Sequence, residues 1–256
     1  MSGCTELLKG QGTIWIASRT AGGAINGEWV EVGDTDSLEV SVDRSYVEHY
    51  ESKTGARNLC ARGIDQTSWT MSMNTFDFDR TALARALVGT SSEVAGASIT
   101  DEAFTVFGSG TTIFTDHPDI STVVVTNTAG ITTLVADTDY TVNALQGSVT
   151  FTTAGLAKLT ASGSNKTGLI DYAYAAYDKV EANLVGEQEY AVRFAGINTV
   201  NNEAVIASLH RVSLSPASVL SLIGNEYASY EVTGLLMADA SQGVGESQYM
   251  VIKKTK

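Results

Sequence analysis

Apolar positions along this chain recur mostly at every second residue, the spacing that gathers them on one face of a β-strand. The clearest run is Leu38-Glu39-Val40-Ser41-Val42-Asp43, in which Leu38, Val40 and Val42 share a face, and Tyr46 and Tyr50 keep the same parity. A strand of about a dozen residues is expected there. A second runs through Thr67-Ser68-Trp69-Thr70-Met71-Ser72-Met73, with Trp69, Met71 and Met73 turned to one side. Residues 53–65 between them show no clean period and carry Lys53, Arg57 and Arg62 with two glycines. The pattern predicts a β-hairpin whose loop, at about 13 residues, is longer than a tight turn needs.

One segment has helical spacing instead. Asp77 or Asp79 can cap a run over residues 80–88, and Gly89 suits the position just past its end. Leu83, Ala86 and Leu87 fall on one face, so about three turns of helix are expected to pack on a sheet. Phe76 and Phe78 stand ready to anchor its start. Residues 90–98, small and polar, read as a linker. Short strands with turn signals then follow, at 122–126, 139–142, 148–152 and 169–174. Asn127-Thr128-Ala129-Gly130 and Asn143-Ala144-Leu145-Gln146-Gly147 serve as hairpin connections. Residues 189–196 and 204–209 are expected to pair with each other. Ser215-Pro216 favours a helical turn over 215–220, and a last long strand is expected over 226–237.

Composition narrows the function. The chain has 256 residues, 43% hydrophobic, enough for a sizeable core. Its 16 Lys+Arg against 29 Asp+Glu give a formal charge of −13, which argues against a general nucleic-acid binder. No apolar run approaches the ~18 residues of a membrane span, so no membrane anchoring is expected. Residues 1–8 lack a basic stretch followed by an apolar one, so they do not read as a signal peptide and synthesis in the cytosol is expected. Cys4 and Cys60 lie far apart and are expected to be reduced thiols.

Searching for chemistry yields little. His49, His117 and His210 lack partners at metal-ligand spacing, and no nucleophile elbow, phosphate loop or dinucleotide fingerprint occurs. Asp116-His117-Pro118-Asp119 reads as a turn, as do Gly22-Gly23 and Gly108-Ser109-Gly110. Asp137 and Asp139 lack the glycine and closing glutamate of a calcium loop. No catalytic residue, metal or cofactor is expected. Tyr172, Tyr174 and Tyr177 suit stacking on sugars, while packing on one sheet face explains Tyr172 and Tyr174 equally well. Dispersed acids leave a hydrolase open as a third class. Lys53, Arg57 and Arg62 form a local positive cluster in an acidic chain, fit to touch nucleic acid or to meet acidic surface on another copy, and the net charge favours the second.

The order of these features resembles the major tail tube proteins of long-tailed, siphophage-type bacteriophages. The resemblance is carried by Leu38-Glu39-Val40-Ser41-Val42 leading into residues 46–55, then 67–73, then the capped helix from Asp79 to Gly89. Residues 25–35 at the start, and 211–217, 220–223 and 230–234 near the end, look like the same family. Residues 137–151 and 171–177 resemble a small β insertion that some members carry. The resemblance implies a mainly β fold, a tail-tube-type β-sandwich or rolled barrel with one flanking α-helix, a long β-hairpin loop and a small β-rich insertion. Residues 1–105 and 180–256 would form the core and 106–179 the insertion. It implies homohexameric rings whose inner sheets join into one barrel, stacked into a conduit through which DNA passes without specific binding. Tape measure, tail terminator and baseplate or tip proteins are the implied partners. The implied location is the virion tail, made and assembled in the host cytoplasm. The loop that reaches a neighbouring ring maps onto Lys53, Thr54, Gly55, Arg57, Asn58, Leu59, Arg62 and Asp65. A tube-like terminator and an adhesive or carbohydrate-binding β-sandwich remain the alternatives.

Overall fold

The computed structural model describes residues 7–53, 55–108 and 110–255. The chain is mainly β and divides into two compact units, residues 1–91 with 180–256 and residues 92–179. In chain order the elements are β1 (Gly10–Arg19), β2 (Val30–Glu31), β3 (Thr35–Tyr50), β4 (Leu59–Thr75), α1 (Arg80–Ala86) and β5 (Thr90–Val94). They continue with β6 (Ala97–Val106), β7 (Thr112–Phe114), β8 (Ile120–Asn127), β9 (Tyr140–Asn143), β10 (Ser148–Phe151) and α2 (Thr153–Lys158). The chain ends with β11 (Thr160–Ser162), β12 (Asn165–Tyr174), β13 (Tyr177–Glu181), β14 (Glu189–Asn198), β15 (Glu203–Ser215), β16 (Tyr230–Leu236) and β17 (Met250–Lys254).

In the first unit, eight strands among the described residues form one sheet in the order β2-β1-β14-β15-β16-β4-β3, with β17 beside β15. Its two edges, β2 and β3, are separated in sequence only by residues 32–34. A chain that short spans at most about 14 Å. Strands at opposite ends of the order must therefore lie close together, and the sheet rolls up. Inside the roll sit Ile14, Ile16, Met71, Met73, Val192, Leu209, Val212 and Val232, all buried. On β1 and β4 they come from alternate positions, so burial on one face is what wrote the period-two signal there, whereas a bulge in the pairing of β14 with β15 sets Leu209 and Val212 three apart. Trp69 and Leu83 pack partly buried on this core, as the spacing predicts, whereas Leu87 is only half-buried at the helix end.

Helix α1 is shorter than expected, two turns rather than three. Asp79 is its cap, accepting the Thr81 backbone N–H at 2.9 Å. At the other end Gly89 N–H bonds Ala84 O at 2.8 Å and Val88 N–H bonds Arg85 O at 3.3 Å. That pattern puts Val88, not Gly89, in the left-handed position just past the helix, at φ +49°. Gly89 is required for a different reason: a Cβ there would stand 2.0 Å from Glu181 O. A β-branched residue in left-handed backbone is strained. Val88→Gly is expected to stabilise this unit by about 0.5–1 kcal/mol, read as a higher midpoint in urea.

Several other expectations change. Residues 90–98 are not a linker: β5 and most of the start of β6 fall there, and β5 pairs with β13. Residues 215–220 form no helical turn, because Ser215 ends β15 and Ala217 N–H bonds Ala86 O at 2.7 Å. The last long strand shortens to Tyr230–Leu236, and an unforeseen strand β17 follows it. The expected pairing of 189–196 with 204–209 is present, Ala195 opposite Ile206.

The back of the sheet is held by two ion pairs. Arg19 Nη1 bonds Asp239 Oδ2 at 2.9 Å, both side chains being 5% exposed. Arg211 grips Glu189 with two bonds, 2.6 and 2.8 Å. The Arg211 guanidinium lowers the Glu189 carboxyl below its usual range. Burial alone would raise the Asp239 carboxyl, yet hydrogen bonds from Arg19, Ser241 and Gln242 outweigh it and hold it far below that range. Both groups are more acidic folded than unfolded. The stability they contribute is therefore full above the ordinary carboxylate pKa and is lost as pH falls through the folded values. Thermal melts are expected to be flat from pH 7 to 5 and to drop steeply below about pH 4.

The second unit has its own core. Strand β12 pairs with β6, β8 and β11, while β7, β10 and β9 form a separate sheet. Val106, Val125, Val149, Phe151, Ile170 and Tyr172 are buried, with Phe104 stacked on Phe151 at 5.5 Å. The predicted hairpin connections at 127–130 and 143–147 are present; Gly130 and Gly147 adopt positive φ, and each donates its N–H back across the turn.

Candidate assembly surface

Beyond the rolled core, β3 and β4 run on together as a two-stranded ribbon. Pairing continues from Val42 opposite Trp69 to Tyr50 opposite Leu59, leaving only residues 51–58 as the turn. The expected long loop is therefore mostly strand. Lys53, Gly55, Arg57 and Asn58 sit in the turn, whereas Leu59, Arg62 and Asp65 belong to β4. Thr54 lies outside the described residues, as do Cys4, Ser109 and Lys256. Strand β3 runs on to Tyr50 as its alternation predicts, whereas the sequence hid the outer part of β4, because residues 59–66 are exposed on both faces and no burial selects alternate apolar positions.

Two bulges also break the period. Ser45 faces Gln66 and Tyr46 faces Ile64, leaving Asp65 unopposed; Cys60 is skipped likewise between His49 and Tyr50. The first bulge switches the parity of β4. Ile64 and Arg62 thereby join Tyr46 and Glu48 on one side of the ribbon. There the Arg62 guanidinium lies 3.6 Å from the Tyr46 ring centre and 3.4 Å from Glu48. Tyr50 donates its hydroxyl to Glu48 at 2.7 Å, and Asn58 bonds Glu51 at 3.0 Å. Arg62 is therefore tied into its own hairpin, while Lys53 and Arg57 stand in the turn. Cys60 is an exposed free thiol on the same ribbon.

The ribbon carries an unusual load of uncovered apolar side chains. Val47 and Ile64 are each 61% exposed, and Val42, Tyr46, Tyr50 and Leu59 are exposed as well. Its charges cancel: Arg44, Lys53, Arg57 and Arg62 balance Asp43, Glu48, Glu51 and Asp65. Neutral and apolar on a chain of net charge −13, it is a surface on which another copy can settle without repulsion. Two-stranded ribbons are marginal in water by themselves, which favours one that docks.

The other candidate groups are engaged internally. Tyr172 is buried, donating to Glu102 at 2.5 Å and lying 2.8 Å from His117 Nδ1. Burial, with Glu102, raises its phenol well above the usual value. Tyr174 stacks on His117 at 3.8 Å, and Tyr177 meets both edge-on. His117 itself lies on the bend between β7 and β8, the turn the sequence suggests. Asp139 is buried and bonded to Lys158 at 2.6 Å and to the Val135 N–H, which gives this carboxylate a structural part. Among the described residues no group of three or more His, Cys, Asp or Glu could hold a metal ion, and no helix is long and apolar enough to cross a membrane.

Two exposed features escaped the sequence reading. One is the segment 219–227, whose Leu222 and Ile223 look like core residues in an apolar run. The other is a cleft on the back of the sheet, assembled from residues too distant in sequence to form any motif. No curated protein matches the chain. A sequence family does match, over residues 7–253, and the chain belongs to it: the family is described as "Protein of unknown function UCP028589".

Proposed function

We propose that this protein is a structural subunit that assembles with copies of itself, a tail tube protein of a long-tailed bacteriophage. Its rings, six copies each, stack into a conduit for DNA, in the virion tail. The observation that carries the reading is the β3–β4 ribbon: long, formally neutral, apolar on its surface and unsupported by its own chain. A rolled sheet with strands at both edges adds a second support, because edges of this kind call for pairing or protection, and a closed ring provides it. The net charge of −13 suits a channel from which DNA must slide without sticking. In this reading the turn residues Lys53 and Arg57 reach a neighbouring ring, while Arg62, bound to Tyr46 and Glu48, stiffens the ribbon behind them. Tape measure, terminator and tip proteins would meet the ends of such a tube.

Negative-stain electron microscopy of the purified chain across a concentration series tests this. Rings or tubes with sixfold end views and a central channel are expected. A particle that stays monomeric at every concentration overturns it.

A further inference from the structure

We infer that the segment 219–227 of one copy docks into the cleft on the back of the rolled sheet of the next copy. This rests on the self-assembly reading above and names a contact other than the ribbon. The segment is pinned at its ends, Ala217 to the helix through Ala86 O and Leu220 bridged to Tyr230. Between these anchors it stands out: Ile223 is 95% and Tyr227 94% exposed, Leu222 and Val219 are exposed too, and Glu226 lies beside Tyr227. A loop carrying four large apolar side chains to water is costly unless something covers it.

The cleft has the matching character. It encloses about 520 Å³, with Ile25 and Trp29 as an apolar wall and Arg193 and Lys253 as cationic lining. Asp239, its acid, is already neutralised by Arg19. Arg193 and Lys253 make no ion pair or side-chain hydrogen bond among the described residues. Two uncommitted cations beside an exposed tryptophan suit a partner that is apolar with one carboxylate, and Leu222, Ile223, Glu226 and Tyr227 supply that combination. Copies that each carry −13 repel at a distance, so a local match of opposite charge is needed where they meet. Loop and cleft are different surfaces of one chain. The contact is therefore head-to-tail, the kind that closes a ring when the rotation per copy divides a full turn.

Sedimentation velocity over a concentration series tests it, on the wild type, Glu226→Lys, Lys253→Glu, Tyr227→Ser and the combined Glu226→Lys/Lys253→Glu chain. All three positions face solvent, and circular dichroism checks the fold. Each single change is expected to raise the concentration needed for assembly roughly tenfold, and the charge swap to recover most of it. A wild type that assembles alongside single variants that assemble equally well overturns the contact and leaves the tube reading standing. A swap no better than its singles also overturns it. A wild type that never associates overturns both. Binding of a 30-base-pair DNA duplex that is lost in an Arg193→Glu/Lys253→Glu chain assigns the cleft to nucleic acid and overturns the proposal.

Discussion

Replacing Arg19 with methionine is expected to destabilise the rolled unit by about 3–5 kcal/mol, the range for breaking one partner out of a buried ion pair. Arg19 and Asp239 are each 5% exposed, so the carboxylate left behind would be a buried charge without its counter-ion. The guanidinium also donates to Gly23 O at 2.6 and 3.0 Å and to His210 O, so its loss strands two carbonyls as well. The result would be a lower urea midpoint with an unchanged slope, and a melting temperature reduced by roughly 10 °C. Adding Asp239→Leu is expected to recover part of the loss, since the buried charge is then gone. Recovery would stay incomplete because Ser241 and Gln242 lose their acceptor at Asp239. A change below 1 kcal/mol in the single variant would show that Arg19 does not clamp these loops.

Cutting the ribbon short is expected to have the opposite profile. Replacing residues 46–65 by an Asn-Gly turn, which suits a two-residue hairpin, would keep Ser45 opposite Gln66 and leave β3 and β4 paired where Met71 and Met73 are buried. Stability should change by less than about 1 kcal/mol, because exposed surface positions contribute little to folding. Assembly should be abolished, with no rings or tubes in the electron microscope at concentrations where the wild type forms them. Tubes of normal appearance from the shortened chain would remove the ribbon from the assembly and with it the main support for the proposed function.

Where a strand has one buried face, the sequence announces it. Leu38, Val40, Trp69, Met71 and Met73 were readable as a packed pair of strands because water on one side and core on the other impose a period of two. The cap at Asp79, the hairpin turns at Gly130 and Gly147 and the pairing of β14 with β15 were legible for the same kind of local reason: a backbone need met by a particular side chain, or by none. The mainly β class follows from these alone. What they do not carry is anything set by distant partners. The outer part of β4 has no buried face, so residues 59–66 left no period, and the ribbon's bulges at Cys60 and Asp65 depend on the register of two strands rather than on either one. Strand β17 depends on β15 offering an edge at residues 205–209. The closing of the sheet comes from the nearness of β2 and β3. The Arg19–Asp239 pair joins residues 220 apart in sequence, and the cleft gathers cations from β14 and β17 with a tryptophan from the approach to β2. Local chemistry determined which segments are strands, turns and helix; only the rolled tertiary structure decided which apolar side chains are core and which are left for a partner, because burial is a property of the neighbours a residue acquires and not of the residue.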